Sequence, residues 1–455
     1  MFGATASSSS AVVKPRFEYK LEARKYRNPE FGEMGTQYCH LYHVRLHELK
    51  PSLLAAVEKK WPGVKVLSNI ALVNLADCKI GDSYVVLGTL MKKFKKRESV
   101  FEKGKLKEVI SELTDRTEKW ASPEDILSIH DDTSSIHLCG TVDPGEFVTG
   151  LVVAVKGHKS SKTSPFHVED TCLPGSPSVY KSTEQAGGSA SSTGAGPMDI
   201  DGETAAAPSG IAGDKSTGLV PLPFRSQMRS DGVYCAFVSG PLLARKEALG
   251  VLFERLSSDP KIAHLVLAGN TYSNTLSKIK KADGIFAAFG KLLSVDILPG
   301  FRDTHVVSFP LERPAPMLFP ESSQNANIQG VPSPYDALLG SVRVLGHAGE
   351  PTEDIQRCSA IADTLDALKL CLESRHIAPT CPDTLNCASF KDVDPLLMQD
   401  APQLFFAGGQ STARAARYRD QTTLLCIPDI RKQAALVLVN INDATDVVCE
   451  LLEFN

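Results

Sequence analysis

Three short apolar runs in the second half of the chain decide its fold, and each ends in a turn that contains glycine. They read VYCAFVSG (Val233–Gly240), IAHLVLAGN (Ile262–Asn270) and VDILPGFRD (Val295–Asp303). Helical stretches over residues 241–257 and 273–293 separate them. Short apolar strands that alternate with helices are typical of a layered α/β fold whose sheet is buried on both faces. We therefore predict such a fold for this half of the chain.

Further apolar runs follow without helices between all of them. They are Ser341–Leu345, Leu404–Phe406, Thr422–Ile427 and Ala435–Ile441. Strands that follow one another without a crossover helix pair antiparallel. The pattern therefore predicts a mixed sheet, or a second sheet packed on the first.

The first half of the chain is rich in strands and begins with one helix. Apolar residues recur at three- and four-residue spacing between Gly35 and Lys60, which predicts a helix with one buried stripe. Four β-branched runs follow: SYVVLGTL (Ser83–Leu90), SIHLCGTV (Ser135–Val142), FVTGLVVAVK (Phe147–Lys156) and FHVEDT (Phe166–Thr171). Such short strands predict a small closed barrel of the OB type.

Changes in composition divide the chain into four parts. Residues 1–30 are polar and without period, so we expect a flexible N-terminal arm. Residues 31–173 carry the helix and the OB-type barrel, and residues 229–455 carry the α/β unit. Between them, residues 174–228 are dominated by Ser, Gly, Ala, Thr and Pro, a composition that predicts a disordered insertion.

Bulk properties are those of an ordinary globular protein. The chain has 455 residues, 42% of them hydrophobic and 22% charged, and a formal net charge of -4, so contact with nucleic acid would need a local patch. It lacks an apolar run long enough to cross a membrane, and its start lacks the pattern of a secretory signal. The eleven cysteines are scattered, which predicts free thiols in a reducing compartment and no zinc site.

The strand-end turns are where open α/β sheets bind ligands. The positions that would carry chemistry there are Ser239, Gly240, Gly269, Asn270, Gly300, Arg302, Asp303, His376 and Gly408. This series of turns resembles the calcineurin-like metallophosphoesterases, whose turns read Asp-x-His, Gly-Asp, Gly-Asn-His-Asp and Gly-His-x-His. In that family, carboxylates and imidazoles from several strand ends hold two metal ions that activate a water molecule.

The ligands of that family are missing here at nearly every position. The turns read Ser239-Gly240, Gly269-Asn270, Gly300-Phe301-Arg302-Asp303 and Gly408-Gly409-Gln410-Ser411. Arg302 would place a cation where a metal should lie, and Asp303 and His376 alone cannot hold two metals. We expect Asp303 to form a turn or to pair with Arg302. The prediction is a vestigial site that has no cofactor, no metal and no catalytic residue; an active phosphoesterase with unusual ligands is the alternative.

Two other features suggest weaker functional hypotheses. His40, His43 and His47 share one helix face, but no acidic or Cys partner lies among them, so a solvated face is the expectation. The basic stretch Lys92–Arg97 could contact phosphate or act as a nuclear import signal, and a solvated charged loop is the default. A single-strand DNA-binding barrel is a further alternative, although Tyr84, Phe147 and Phe166 are a sparse supply of rings for stacking bases.

A barrel of OB type followed by an inactivated phosphoesterase domain resembles the B-subunit family of the replicative DNA polymerases, and within it the delta branch. The first half matches in QYCHLYHVRL (residues 37–46), VVLGTL, Gly140–Asp143, Val148–Gly150 and Val168–Asp170. The second half matches in VLAGN, VDILPG, PAPMLFP, RHIAPTCPDTLN (Arg375–Asn386), Asp394-Pro395, Phe405-Phe406 with Gly408, and DQTTLLCIPD (Asp420–Asp429). Gly409 and Gln410 depart from the expected pattern.

The resemblance implies a non-catalytic accessory subunit of a nuclear replicative polymerase. Its implied partners are the cysteine-rich C-terminal domain of the catalytic subunit of DNA polymerase delta and a third, elongated subunit of the same polymerase. In the delta branch, the resemblance also implies that the small subunit is shared with the translesion polymerase zeta. DNA contact is expected to be indirect or weak.

Overall fold

The structure is a computed structural model that describes residues 14–28, 38–74, 82–97, 118–161, 163–180, 218–272, 275–303 and 308–453. Half of the expected N-terminal arm, residues 1–13 and 29–30, and the larger part of the expected disordered insertion, residues 181–217, lie outside these residues. No helix among the described residues is long and apolar enough to cross a membrane.

Five strands close into a barrel in the order β2-β3-β4-β6-β5. The strands are β2 (Tyr84–Lys93), β3 (Ile126–His130), β4 (Ser135–Gly140), β5 (Val152–Lys159) and β6 (Phe166–Cys172). Alternate residues of these strands point inward and form the barrel core, which confirms the OB-type prediction. The sequence patterns missed β3, because its five residues, ILSIH, are too few to show a period.

Helix α1 (Cys39–Lys60) closes one side of the barrel, and the four-residue α2 (Ala71–Asn74) follows it. The helix has the predicted buried stripe, which includes Leu46, Leu49, Leu53 and Val57. That stripe packs on Val85 and other outward-facing residues of β2 and β5. The helix therefore covers an apolar outer face of the barrel that would otherwise be exposed.

Two sheets and four helices form the second unit. The six-stranded sheet has the order β11-β10-β9-β8-β17-β18, and the seven-stranded sheet has the order β1-β12-β13-β14-β16-β15-β7. The strands of the first sheet are β8 (Tyr234–Val238), β9 (Ile262–Ala268), β10 (Ser294–Leu298), β11 (Ile328–Gly330), β17 (Ala435–Asn440) and β18 (Asp443–Leu451). Those of the second are β1 (Tyr19–Leu21), β7 (Leu219–Pro221), β12 (Tyr335–Leu339), β13 (Val342–His347), β14 (Leu404–Gln410), β15 (Arg414–Tyr418) and β16 (Thr422–Pro428). The helices are α3 (Lys246–Ser258), α4 (Leu276–Gly290), α5 (Glu350–Cys358) and α6 (Thr364–Glu373).

Both sheets are mixed, as predicted. Strands β8 to β11 run parallel, and β17 and β18 pair antiparallel beside them. One apolar core lies between the two sheets, and a second lies under α3 and α4. The prediction of a layered α/β fold with mixed sheets is therefore confirmed.

Two short strands lie where flexible segments were expected. Tyr19–Leu21 lies within the expected arm but pairs antiparallel with β12, and Leu219–Pro221 lies within the expected insertion but pairs with β15. The prediction of flexibility is wrong for these residues. Three-residue edge strands have no detectable period, and these are held by the sheet beside them and by contacts of Tyr19 and Leu21 with the core between the sheets.

The two units share a continuous core. Leu138 and Phe147 of the barrel unit and Ile355 and Leu368 of α5 and α6 belong to one buried apolar cluster. An interface that is this apolar holds domains in one arrangement. The barrel and the layered unit therefore present their surfaces in a defined relation to each other.

Candidate functional site

The carboxyl ends of several strands meet at one place, which we call the strand-end edge and define as residues 239–240, 269–271, 300–303, 408–410 and 429–431. Strands β8, β9 and β10 end there from one sheet, and β14 and β16 end there from the other. The Gly240 N–H donates to the carbonyl of Gly269 (3.1 Å), and the Ile430 N–H donates to the carbonyl of Ser239 (2.9 Å). The predicted turns, His376 excepted, are therefore brought together.

Ser239 joins the two sheets at the strand-end edge. Its side chain is fully buried, and its hydroxyl lies within hydrogen-bonding distance of the carbonyl oxygens of Ala268 (2.9 Å) and Gly269 (3.1 Å). The Gly409 N–H donates to the same hydroxyl oxygen at 2.9 Å. The hydroxyl thus connects the backbone of the turn after β9 to the backbone of the turn in β14.

Close backbone approach explains the glycines of these turns. Gly269 has a φ of +84°, and a Cβ added there would lie 2.0 Å from the Cβ of Ala348. A Cβ at Gly408 would lie 2.1 Å from the carbonyl oxygen of Ala268. At Gly300, φ is not in the left-handed region, but a Cβ would lie 2.5 Å from Oδ1 of Asn270. At Gly269 and Gly408 no other residue fits without moving a neighbouring element, whereas at Gly300 the side chain of Asn270 would have to move.

Asp303 holds its own turn together. It is buried, and its carboxyl oxygens accept the N–H groups of Thr271 (3.2 Å), Tyr272 (3.0 Å) and Gly300 (3.1 Å). Burial raises the pKa of this carboxyl well above its usual range, although those N–H groups oppose the shift. Its acceptor sites are occupied by backbone, as expected of a turn-forming residue.

Of the two alternatives expected for Asp303, the structure has the turn-forming one and not the pairing with Arg302. The Nη1 of Arg302 lies instead 4.0 Å from Oδ2 of Asp429, a buried residue that follows β16. Arg431 binds the same carboxylate through Nε (3.0 Å to Oδ1) and Nη2 (2.5 Å to Oδ2). The sequence reasoning did not single out Asp429, although it is the last residue of the DQTTLLCIPD segment.

His376 lies in a different cluster, so its grouping with the strand-end turns is wrong. Its Nε2 is 2.9 Å from Oδ2 of Asp394, and the Ala378 N–H donates to its Nδ1 at 3.1 Å. Burial, assisted by the charge of Arg45, lowers the pKa of His376 to about 4. Burial alone would raise the pKa of Asp394, but His376 and Arg45 outweigh it and hold that pKa far below its ordinary value.

Arg45 is the centre of this second cluster, which we call the Arg45 centre and define as Arg45, His376 and Asp394. Its guanidinium is fully buried and bonds Oδ2 of Asp394 at 2.9 Å. It also donates to the carbonyls of Gly150 (3.1 Å), Pro379 (2.9 Å) and Cys381 (3.0 Å). One arginine of α1 thereby connects the barrel to two loops of the layered unit.

The basic stretch Lys92–Arg97 is only partly a solvated loop. Lys92 is buried: its Nζ donates to the carbonyls of Pro144 and Cys358 (2.7 Å each) and lies 3.4 Å from Asp125. Phe94 belongs to the shared core. Lys95, Lys96 and Arg97 are exposed, as are His40, His43 and His47 on α1. The expectation of a solvated loop is wrong for Lys92 and Phe94, because β2 extends through Lys93.

The three aromatic side chains that were considered for stacking bases are not exposed in the barrel. Tyr84, Phe147 and Phe166, the rings that the sequence suggested for base stacking, are all buried. Among the described residues there is also no group of three or more His, Cys, Asp or Glu side chains arranged to hold a metal ion.

Comparison with known families matches each unit separately. The model of the "DNA polymerase delta subunit OB-fold domain" matches residues 37–171, and the model of the DNA polymerase alpha/epsilon B subunit matches residues 235–415. The chain belongs to the B-subunit family of the replicative DNA polymerases. The first match spans α1 and the barrel of this B-subunit family member, and the second spans most of its two sheets.

Relatives in this B-subunit family align over nearly the whole chain. The DNA polymerase delta small subunit of Arabidopsis thaliana is 26% identical over 445 residues, which is 92% of each chain. DNA polymerase delta subunit 2 of Drosophila melanogaster is 25% identical and covers 92% of this chain and 93% of its own. Among solved structures, TT1561 of Thermus thermophilus is 16% identical, with a TM-score of 0.27, and covers 49% of this chain and 100% of its own.

The segments that carry the B-subunit resemblance converge at the Arg45 centre. Arg45 comes from QYCHLYHVRL, Gly150 from Val148–Gly150, Pro379 and Cys381 from RHIAPTCPDTLN, and Asp394 from Asp394-Pro395. These segments are far apart in the sequence, so no local pattern could have predicted that they meet.

Proposed function

We propose that this protein is a non-catalytic accessory subunit of DNA polymerase delta. The observation that carries the proposal is the pair of family matches in tandem, one on each unit, together with relatives named as delta small subunits that align over more than nine-tenths of the chain. Its function is assembly. It binds the cysteine-rich C-terminal domain of the catalytic subunit and a third, elongated subunit, in the nucleus, and it also serves polymerase zeta.

The joined architecture supports a role in assembly. A scaffold is effective when its binding surfaces have a defined relation before the partners arrive, because less conformational entropy is then lost on binding. The shared core and the Arg45 centre supply that relation between the barrel and the layered unit. Partners bound to such a scaffold are stabilised by mass action.

The contents of the strand-end edge support the absence of catalysis. Ser239 and Asp303 are occupied by backbone groups, and Arg302 and Arg431 surround the carboxylate of Asp429. A two-metal centre needs carboxylates and imidazoles whose lone pairs are free for the ions. The hydrogen bonds of Ser239 at this edge connect the two sheets.

Co-purification tests the proposal. We expect the tagged chain, co-expressed with the C-terminal region of a polymerase delta catalytic subunit, to retain that region through a wash at high salt. Raising the ionic strength from about 0.1 M to about 1 M shortens the screening length from roughly 10 Å to roughly 3 Å, so a complex built on apolar burial survives and a non-specific ionic one does not. An unrelated cysteine-rich zinc domain is the control. Absence of retention at low salt would contradict the proposal.

A further inference from the structure

Three exposed arginines lie at the strand-end edge or beside it, and the proposed function assigns none of them to a partner. Arg302 has a side chain that is 63% exposed, and Arg431 one that is 44% exposed. The Nη2 of Arg245 donates to the carbonyl of Arg431 at 3.0 Å, which brings a third guanidinium to the same place. We call Arg245, Arg302 and Arg431 the edge arginines.

Their charges are only partly compensated. Asp429 is the acidic partner of both Arg302 and Arg431, and Arg431 takes both of its oxygens. Burial alone would raise the pKa of Asp429, but the hydrogen bonds and charge of Arg431 outweigh it and keep that pKa below its ordinary value. Arg302 stays at 4.0 Å, beyond hydrogen-bonding distance, and its side chain is largely exposed, so the edge arginines together carry more charge than the one carboxylate of Asp429 offsets.

The backbone holds this group in place. The Asp429 N–H donates to the carbonyl of Gln410 (2.8 Å), and the Arg302 N–H donates to Oδ1 of Asn270 (3.1 Å). Arg302 and Arg431 therefore lie in turns at the ends of buried strands. Preorganised guanidinium groups lose less entropy when they bind an oxyanion.

We propose that the edge arginines bind the phosphate groups of a nucleic-acid backbone. A planar guanidinium presents paired N–H donors that fit the oxygens of a phosphodiester, and two or three of them at one place fit a single singly charged group. The contact carries no sequence information, because it reaches the backbone and not the base edges. This inference goes beyond the proposed function, in which the chain contacts other subunits.

The surroundings favour nucleic acid over an acidic protein segment. Among the described residues, the exposed large apolar side chains lie outside the turns that form this edge and outside the stretch 240–246 that carries Arg245. Protein interfaces have an apolar centre and a polar rim, whereas interfaces with nucleic acid are polar and positively charged. A surface of arginines, glycines and polar side chains matches the second kind.

Fluorescence anisotropy with a labelled oligothymidine and a labelled duplex tests the inference on the full chain. We expect Arg302→Gln to weaken binding of both probes severalfold. For the duplex, the slope of log affinity against log salt should fall by about 0.9 for each phosphate that the variant no longer neutralises. Adding Arg245→Gln should weaken binding further. Arg302 is exposed, so both variants should keep the thermal stability of the parent.

Arg419→Gln is the matched control. Arg419 is 58% exposed and lies 3.7 Å from Glu373, and it precedes β16, whereas Asp429 follows that strand at its other end. The control should bind both probes like the parent. Equal affinities and equal salt slopes for Arg302→Gln and the parent would overturn the inference. So would preferential binding of poly-glutamate that depends on Arg302, because it would assign the edge to an acidic protein.

The two proposals fail in different measurements. Arg302→Gln should co-purify with the catalytic-subunit region as the parent does. Loss of co-purification in the parent contradicts the proposed function and leaves the anisotropy result in place. Unchanged anisotropy with normal co-purification overturns only the phosphate site.

Discussion

Single side chains at the strand-end edge form hydrogen bonds with the backbone around them. Asp303 accepts three backbone N–H groups, and Ser239 accepts one while it reaches two carbonyls of the neighbouring turn. The residue types were visible in the sequence, and comparison with the metallophosphoesterase motifs predicted that the metal ligands of that family are absent. Which side chain pairs with which was not visible, as Arg302 and Asp429 demonstrate: they are separated by more than a hundred residues.

Asp303→Asn tests the turn-forming role. An amide has one acceptor oxygen where the carboxyl has two, so at least one buried N–H loses its partner, at a cost of about 1–3 kcal/mol in the free energy of unfolding. Chemical denaturation measures it. We expect neither the parent nor the variant to hydrolyse a phosphodiester in the presence of Mn²⁺. Manganese-dependent hydrolysis by the parent that is lost in Asp303→Asn would instead support the active-enzyme alternative.

Gly269→Ala tests the close approach of the two sheets. The added Cβ meets Ala348 at 2.0 Å in a left-handed conformation, so we expect the free energy of unfolding to fall by at least about 2 kcal/mol. Gly250→Ala is the control, because Gly250 lies in α3 and a Cβ there meets nothing within 4 Å. Alanine should raise helix stability at that position by about 0.5–1 kcal/mol. Equal stability of the two variants would show that the turn is misjudged.

At the scale of elements, the patterns predicted strands best where they are apolar and long. Strand β9 matches its predicted range, Ile262–Ala268, at both ends. Among the described strands, the three-residue edge strands β1, β7 and β11 were missed, and so were β3, β12, β15 and β18. An edge strand is held by one neighbour, and its few residues alternate too briefly to register as a period. The edge strands β1 and β7 therefore form because the assembled sheet offers them a neighbour to pair with.

The barrel has no exposed ring at the three positions suggested for stacking bases, which predicts that it does not bind single strands by itself. We expect Lys95→Glu with Lys96→Glu, both exposed residues just after β2, to change the affinity for a labelled oligothymidine by less than about twofold. Arg97 is left intact because it bonds Asp383 at 3.0 Å. A steep fall in affinity, with a reduced slope of log affinity against log salt, would show that the barrel does bind single-stranded DNA.

At the scale of the molecule, the Arg45 centre and the shared core make the two units one body. Arg45→Met tests this. It removes four hydrogen bonds and leaves Asp394 buried beside His376 without its cation, which should cost about 3–5 kcal/mol in the free energy of unfolding. Thermal unfolding followed by calorimetry should show one transition in the parent and a lowered or split one in the variant.

The double variant Arg45→Met with Asp394→Asn measures how strongly the two side chains are coupled. The second change removes the charge that the first leaves uncompensated, so the double variant should be less destabilised than the sum of the two single variants. His47→Gln, on the exposed face of α1, is the control and should leave unfolding unchanged. Strict additivity would mean that the ion pair contributes little and that apolar packing alone joins the units.

Local patterns of period, composition and spacing were enough to predict the two units, the barrel and the parallel strands with their glycine turns. Three pairings could be seen only in the folded chain. Arg45 bonds Asp394, His376 bonds Asp394 and not a strand-end turn, and Arg302 lies beside Asp429, which Arg431 also binds. The physical reason is that these contacts pair polar groups up to 349 residues apart. Their positions follow only when buried apolar surfaces have brought the elements together.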